Sequence, residues 1–133
     1  MAAIRESAFA PALNGYASGP LAESWKRPAL NARDRSIVTL AALIARNQTV
    51  EMPKYLSLAR HDGVKSREIA EIITHLAFYS GWANAVSADA IARTVAAERN
   101  IGADQLPSAT PKLLPLDSCF RSIKPPRRSV RRM

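Results

Sequence analysis

The sequence is poor in several features that mark familiar function classes. It has one cysteine, Cys119, which excludes an internal disulfide and any CxxC redox or zinc pair. It has no run of about 18 apolar residues, so no transmembrane helix is expected. The opening MAAIRESAFA holds Arg5 and Glu6 and no apolar stretch long enough for a secretory signal, so a cytoplasmic location is expected. No segment alternates apolar and polar residues between turn residues, which leaves no β signal. There is no GxSxG nucleophile motif and no glycine-rich phosphate loop. The two histidines, His61 and His75, match no familiar metal-ligand spacing. No metal is therefore expected.

What is present is a chain of 133 residues, 47% hydrophobic, enough to bury the core of one domain. Its formal charge of +8 first suggests a polyanionic partner. The charge is unevenly placed. Residues 121–133 hold Arg121, Lys124, Arg127, Arg128, Arg131 and Arg132 and no acid, which leaves 13 basic residues against 11 acidic ones in residues 1–120. The segment RSIKPPRRSVRRM has few large apolar side chains and two prolines, so it reads as a disordered basic tail. Nothing aromatic is interleaved for base stacking, so neither nucleic acid nor membrane is the expected partner.

The body has helical periodicity. Short helices are expected over 8–18 and 21–25, around a Gly19-Pro20 break. A strong helix begins after Asn31, an N-cap, with Asp34 in its first turn, and carries Ile37, Val38, Leu40, Ala41, Leu43 and Ile44 to near Arg46-Asn47. The next starts at Pro53 and stops at Gly63. Ser66 is expected to cap a third, with Ile69, Ile72, Ile73 and Leu76 as its buried stripe and Gly81 at its end. A fourth, alanine-rich helix runs from Ala83 to Arg99, its small side chains allowing close approach of a neighbour. Pro107, Pro111 and Pro115 then punctuate a surface segment. The expected fold is all-α with about five to six helices. Its parts are an N-terminal helical segment over 1–24, a core over 25–106, and a proline-rich basic tail over 107–133.

Glu71, His75 and Tyr79 are spaced four apart and share one helix face. Glu51 and Tyr55 repeat that spacing at the start of the preceding helix. Such polar groups on an apolar hairpin can converge on a pocket, although a hydrogen-bonded core histidine and a surface acid would show the same spacing. His61, beside Asp62-Gly63 at a helix end, suits a dipole role better than catalysis.

Residues 25–88 resemble the carboxymuconolactone decarboxylase family. The resemblance rests on ARDRSIVTLAALIA, on the Glu51 segment before a Gly-Val turn, and on EIITHLAFYSGWANA, with a looser likeness through IGADQLP at 101–107. It implies the alkylhydroperoxidase D-like helical fold, completed by neighbouring subunits into a trimer or hexamer. Redox members of that superfamily carry CxxC with a histidine four residues on. The pattern falls here near Gln48, Glu51 and Tyr55, so both sulfurs are missing and thiol peroxidase activity is not expected.

The other branch implies a cofactor-independent carbon–carbon lyase of aromatic-compound degradation, converting 4-carboxymuconolactone to 3-oxoadipate enol-lactone and carbon dioxide. Typical members have histidine where this chain has Tyr55. Loss of carbon dioxide from such a lactone acid leaves a carbanion conjugated with the lactone carbonyl. The protein must hold an anion, stabilise an enolate oxygen and protonate carbon. The candidate catalytic residues are Glu51, His75 and Tyr55, with His75 or protonated Glu51 as proton donor and Tyr55 or Tyr79 as oxyanion donor. Arg33 and Arg35 are candidates for holding carboxylates, or else members of a salt-bridge network with Asp34 or a neighbouring subunit. Trp82, with Phe78, is expected to wall the site against water. The expected partners are a small anionic substrate and copies of the chain itself. The alternative reading is a non-catalytic or small-molecule-binding helical oligomer of the same family.

Overall fold

The computed structural model describes residues 9–115, and within them every regular element is helical. Cys119 and the basic tail 121–133 lie outside the described residues. The helices are α1 (Ala12–Tyr16), α2 (Ala22–Ser24), α3 (Ala32–Ala45), α4 (Met52–His61), α5 (Ser66–Ser80) and α6 (Trp82–Glu98), with a 3₁₀ turn at Ala103–Gln105.

The N-terminal segment differs from expectation. Gly19-Pro20 does not break it. The chain stays helical from α1 to α2 through a π-helical turn, Ala17–Leu21, with Pro20 inside it. Proline cannot donate the i→i−4 bond, and its ring clashes with the preceding turn of a regular helix. A wider turn accommodates both.

Local signals set the limits of the main helices. Asn31 Oδ1 accepts the Asp34 N–H at 2.8 Å, capping α3. Asn47, at φ 53°, turns the chain away after α3. Pro53 sits in the first turn of α4, and Gly63 (φ 93°) follows its C-cap. The expected cap of α5 shifts by one position. Lys65 is the N-cap, and Ser66 is the first helical residue. Glu68 secures this start by accepting the Lys65 N–H at 2.8 Å. The helix α6 begins at Trp82, directly after Gly81.

The core draws one stripe from each main helix. Leu40 and Ile44 come from α3, Met52, Leu56 and Ala59 from α4, Ile69 and Ile73 from α5, and Ala85, Ala88 and Val95 from α6, with Val64 between α4 and α5. Ala85 and Ala88 let α6 approach closely, as the alanine-rich pattern implied. The expected faces were too wide by a residue or two. Val38 is exposed, and Ile72 and Leu76 are only half-buried.

The bundle has two ends, each tied by polar contacts. At one end Arg33, in the first turn of α3, pairs with Glu68 in the first turn of α5. There the buried Ser36 hydroxyl donates to Asp62 Oδ2, just after α4, at 2.7 Å. At the other end Asn84 Nδ2, in the first turn of α6, donates to the carbonyls of Ala45 and Ser80, each at 3.0 Å. The N-terminus of α4 lies at that second end as well, because α4 follows α3 after a short turn and returns along it.

Candidate active site

The first end of the bundle holds Arg33 and Arg35, and both guanidinium groups are engaged. Arg33 pairs with Glu68 and lies 3.8 Å from the Asp34 carboxylate. Arg35 Nε donates to the Leu30 carbonyl at 3.1 Å, and its Nη2 donates to the Arg27 carbonyl, so it clasps the chain entering α3. The Glu68 carboxyl is held below the ordinary carboxylate range. The Lys65 N–H bond is the largest cause and outweighs some desolvation, with the Arg33 and Lys65 charges adding to it.

The second end holds Glu51, Tyr55, Tyr79 and Trp82. Glu51 is the residue before α4, and Tyr55 lies one turn on, half-buried. The Tyr55 ring stacks on Trp25, with centroids 6.5 Å apart and planes at 23°. Burial, and then the nearby Glu51 charge, push the Tyr55 phenol above its ordinary value. Tyr55 therefore stays protonated and can donate a hydrogen bond. Lys54 Nζ lies 5.4 Å from the centroid of the same ring. Tyr79 and Trp82 flank the joint between α5 and α6 and are 71% and 73% exposed.

His75 lies about one turn from this end, on the outer face of α5. It lines an open groove of about 420 Å³ with Glu71, Ile72 and Leu76 of α5 and Ile37 and Ala41 of α3. Its ring sits 4.8 Å from the Tyr79 ring, tilted by 33°. The spacing of Glu71, His75 and Tyr79 therefore places the first two in one groove and the third against the imidazole.

Within one chain the sequence-derived set is thus divided. Glu51 and Tyr55 meet, and His75, Glu71 and Tyr79 are neighbours. Arg33 and Arg35 lie at the opposite end of α3. Ala45 is twelve residues on from Arg33, a rise of about 18 Å at 1.5 Å per residue, so the arginines start at one end of α3 and the joint at Trp82 lies towards the other. Sequence reading missed Lys54 and Trp25. A lysine beside a tyrosine on an amphipathic helix gives no signal of its own, because lysine usually extends to solvent.

The sequence model of the carboxymuconolactone decarboxylase family matches residues 8–94. This span takes in α1 and α2 and stops within α6, before the looser likeness at 101–107. The chain is 37% identical over 59 residues to 4-carboxymuconolactone decarboxylase of Acinetobacter baylyi, covering 44% of each chain. It is 33% identical over 64 residues to nitrosuccinic acid decarboxylase of Metarhizium robertsii, covering 48% of this chain and 45% of that one. The matched segment spans under half the length of these curated relatives. With the family match running through the helices that carry Glu51, Tyr55 and His75, the chain belongs to the carboxymuconolactone decarboxylase family.

Proposed function

We propose that the protein is a cofactor-independent decarboxylase acting on 4-carboxymuconolactone or a related lactone acid in aromatic-compound degradation. The observation that carries this reading is the family match, with two relatives that are both named decarboxylases of small acids. The two named acids share a chemistry. When carbon dioxide leaves, the electron pair left behind delocalises into the lactone carbonyl in one and into the nitro group in the other. The electron sink belongs to the substrate, and the protein's part is to hold, stabilise and protonate.

The second end of the bundle suits that part. The carbon–carboxylate bond breaks, its electron pair passes to the conjugated oxygen, and Tyr55 donates a hydrogen bond to that oxygen. Burial first, and the Glu51 charge after it, favour the protonated phenol and so keep it a donor. Within one chain His75 lies in a separate groove beside Glu71, so the histidine of a neighbouring copy is the proposed donor of the proton to carbon, which completes the balance of one carbon dioxide lost and one proton gained. Arg33 and Arg35 are occupied at the other end, so the grip on substrate falls to other groups.

The assay is loss of the lactone acid's ultraviolet absorbance with purified protein. Turnover is expected in the wild type and is expected to collapse in His75→Ala. No turnover above the His75→Ala background overturns the reading.

The same end also supports self-association. Phe78, Tyr79, Trp82 and Val86 are 82%, 71%, 73% and 53% exposed and stand within nine residues of chain on the two sides of the α5–α6 joint. A cluster of large apolar groups of this kind marks a protein contact surface. Copies of the chain are the proposed occupants, and Trp82→Ser is expected to lower the mass measured by light scattering.

A further inference from the structure

The Glu51–Tyr55 end contains a cation that no contact in the fold explains. Lys54 lies in the first turn of α4, and its Nζ is shut off from solvent. Among the described residues that ammonium has no hydrogen-bond acceptor. Its recorded contact is the face of the Tyr55 ring. An ammonium carries three donors, and a ring face satisfies none of them as an oxygen would. A cation–π contact offsets only part of the cost of removing an ammonium from water. Lysine has a long stem that normally lets its charge reach solvent. A lysine held inward with its donors unmet is arranged for an anion.

The contrast with the arginines sharpens the point. Arg33 and Arg35 each have acceptors supplied by the fold. Lys54 has none among the described residues, and it shares its end of the bundle with Glu51 and Tyr55. The surroundings also suit a small organic acid. The stacked Trp25 and Tyr55 rings give a flat apolar surface beside the charge, and the Tyr55 hydroxyl is a neutral donor.

We propose that the Lys54 ammonium, carried off the Tyr55 ring face by its half-buried, flexible stem, binds a carboxylate of the substrate, the one retained in the product, with Trp25 and Tyr55 as the surface on which the carbon skeleton rests. This inference rests on the decarboxylase reading for the identity of the substrate as a polyacid. Lys54 grips the acid at one point while the departing carboxylate stays free of a cation. That arrangement leaves the charge that is lost on reaction unstabilised in the ground state, so binding at Lys54 does not oppose the chemistry.

The probe is succinate, a dicarboxylate without an electron sink, titrated into the wild-type protein by isothermal calorimetry at fixed ionic strength. A saturable change is expected. Lys54→Met is expected to weaken it tenfold or more, the scale of one charge-assisted hydrogen bond, and Lys54→Arg to recover part of the loss. Circular dichroism and light scattering on the same variants check folding and assembly. Three results overturn the proposal: no succinate binding by the wild-type protein, unchanged binding in folded Lys54→Met, or disassembly of Lys54→Met, which would mean that the ammonium pairs with a neighbouring copy.

The lactone acid assay run alongside separates the two ideas. Lys54-dependent succinate binding without turnover removes the decarboxylase reading and leaves the anion site. Turnover with an unchanged KM in Lys54→Met does the reverse.

Discussion

Replacing Ser36 with alanine tests the tie that sets the geometry of the first end of the bundle. Ser36 is 1% exposed, and its hydroxyl donates to Asp62 Oδ2 at 2.7 Å. The Asp62 side chain is itself only 11% exposed. Its other recorded side-chain contact is His61 Nδ1 at 3.3 Å, and that histidine is 85% exposed and contributes little. A hydrogen bond to a charged group contributes about 1.5–3 kcal/mol. Alanine regains roughly 0.5 kcal/mol through its better helix propensity within α3. The net loss is therefore about 1–2.5 kcal/mol, or a fall in Tm of roughly 4–9 °C for a chain of this size. Urea unfolding at fixed protein concentration is the assay, with a lower midpoint and an unchanged slope expected. A double-mutant cycle with Asp62→Asn completes it, and coupling of at least about 0.5 kcal/mol is expected between the two positions. A midpoint within error of the wild type would falsify the assignment of this pair as the α3–α4 tie, and so would strictly additive single effects.

Arg33→Met is expected to lower stability by about 0.2–1 kcal/mol, the range for an exposed ion pair, and to leave KM for the lactone acid within twofold of wild type. A KM raised tenfold or more by that change would return the arginine to the substrate. The Tyr55 pKa is raised in the folded state, so that state holds its proton more tightly. The resulting stability is complete below the ordinary tyrosine value and is lost as pH rises through the folded one. Tyr55→Phe should remove that part of the alkaline limb in urea midpoints taken from pH 9 to 12, and an unchanged limb counts against the burial argument. Glu68 has the opposite sign. Its lowered pKa gives a contribution that is full above the ordinary glutamate value and fades as pH falls through the folded one. Glu68→Gln should flatten the acid limb between about pH 5 and 2, as followed by circular dichroism.

Much of the fold was legible because its punctuation is local. Asn31 with Asp34, Pro53, Gly63 and Gly81 each act within a turn of themselves, and the helix limits follow them closely. Pro20 was misread because its effect depends on what the chain does around it, and a wider turn absorbs the ring where a break was expected. Ser66 gave way to Lys65 as the cap because Glu68 secures the backbone N–H of Lys65. The site was legible only in part. Spacing by four correctly put Glu71 and His75 in one groove, since that relation lies within a single helix. The grouping of Arg33 and Arg35 with Glu51 concerns opposite ends of an antiparallel packing, and no spacing along one helix reports that. Lys54 was invisible for a related reason. Whether a lysine meets water or an aromatic ring depends on how the neighbouring Tyr55 ring is held, and that ring stacks on Trp25, thirty residues away in sequence from Tyr55.

The one-residue joint at Gly81 limits how this chain can change length. Its backbone, at φ 99° and ψ 143°, is open in practice only to glycine, and no other residue separates Ser80 from Trp82. An extra residue there would turn α6 by about 100° about its axis and carry Ala85, Ala88 and Val95 off the core. The turn between α3 and α4 is different, because Gln48, Thr49 and Val50 are exposed and can absorb an added residue. Insertions and deletions should therefore be tolerated between the first pair of long helices and excluded between the second. The aromatic cluster astride Gly81 consequently keeps a fixed internal spacing, while the α3–α4 turn is free to vary.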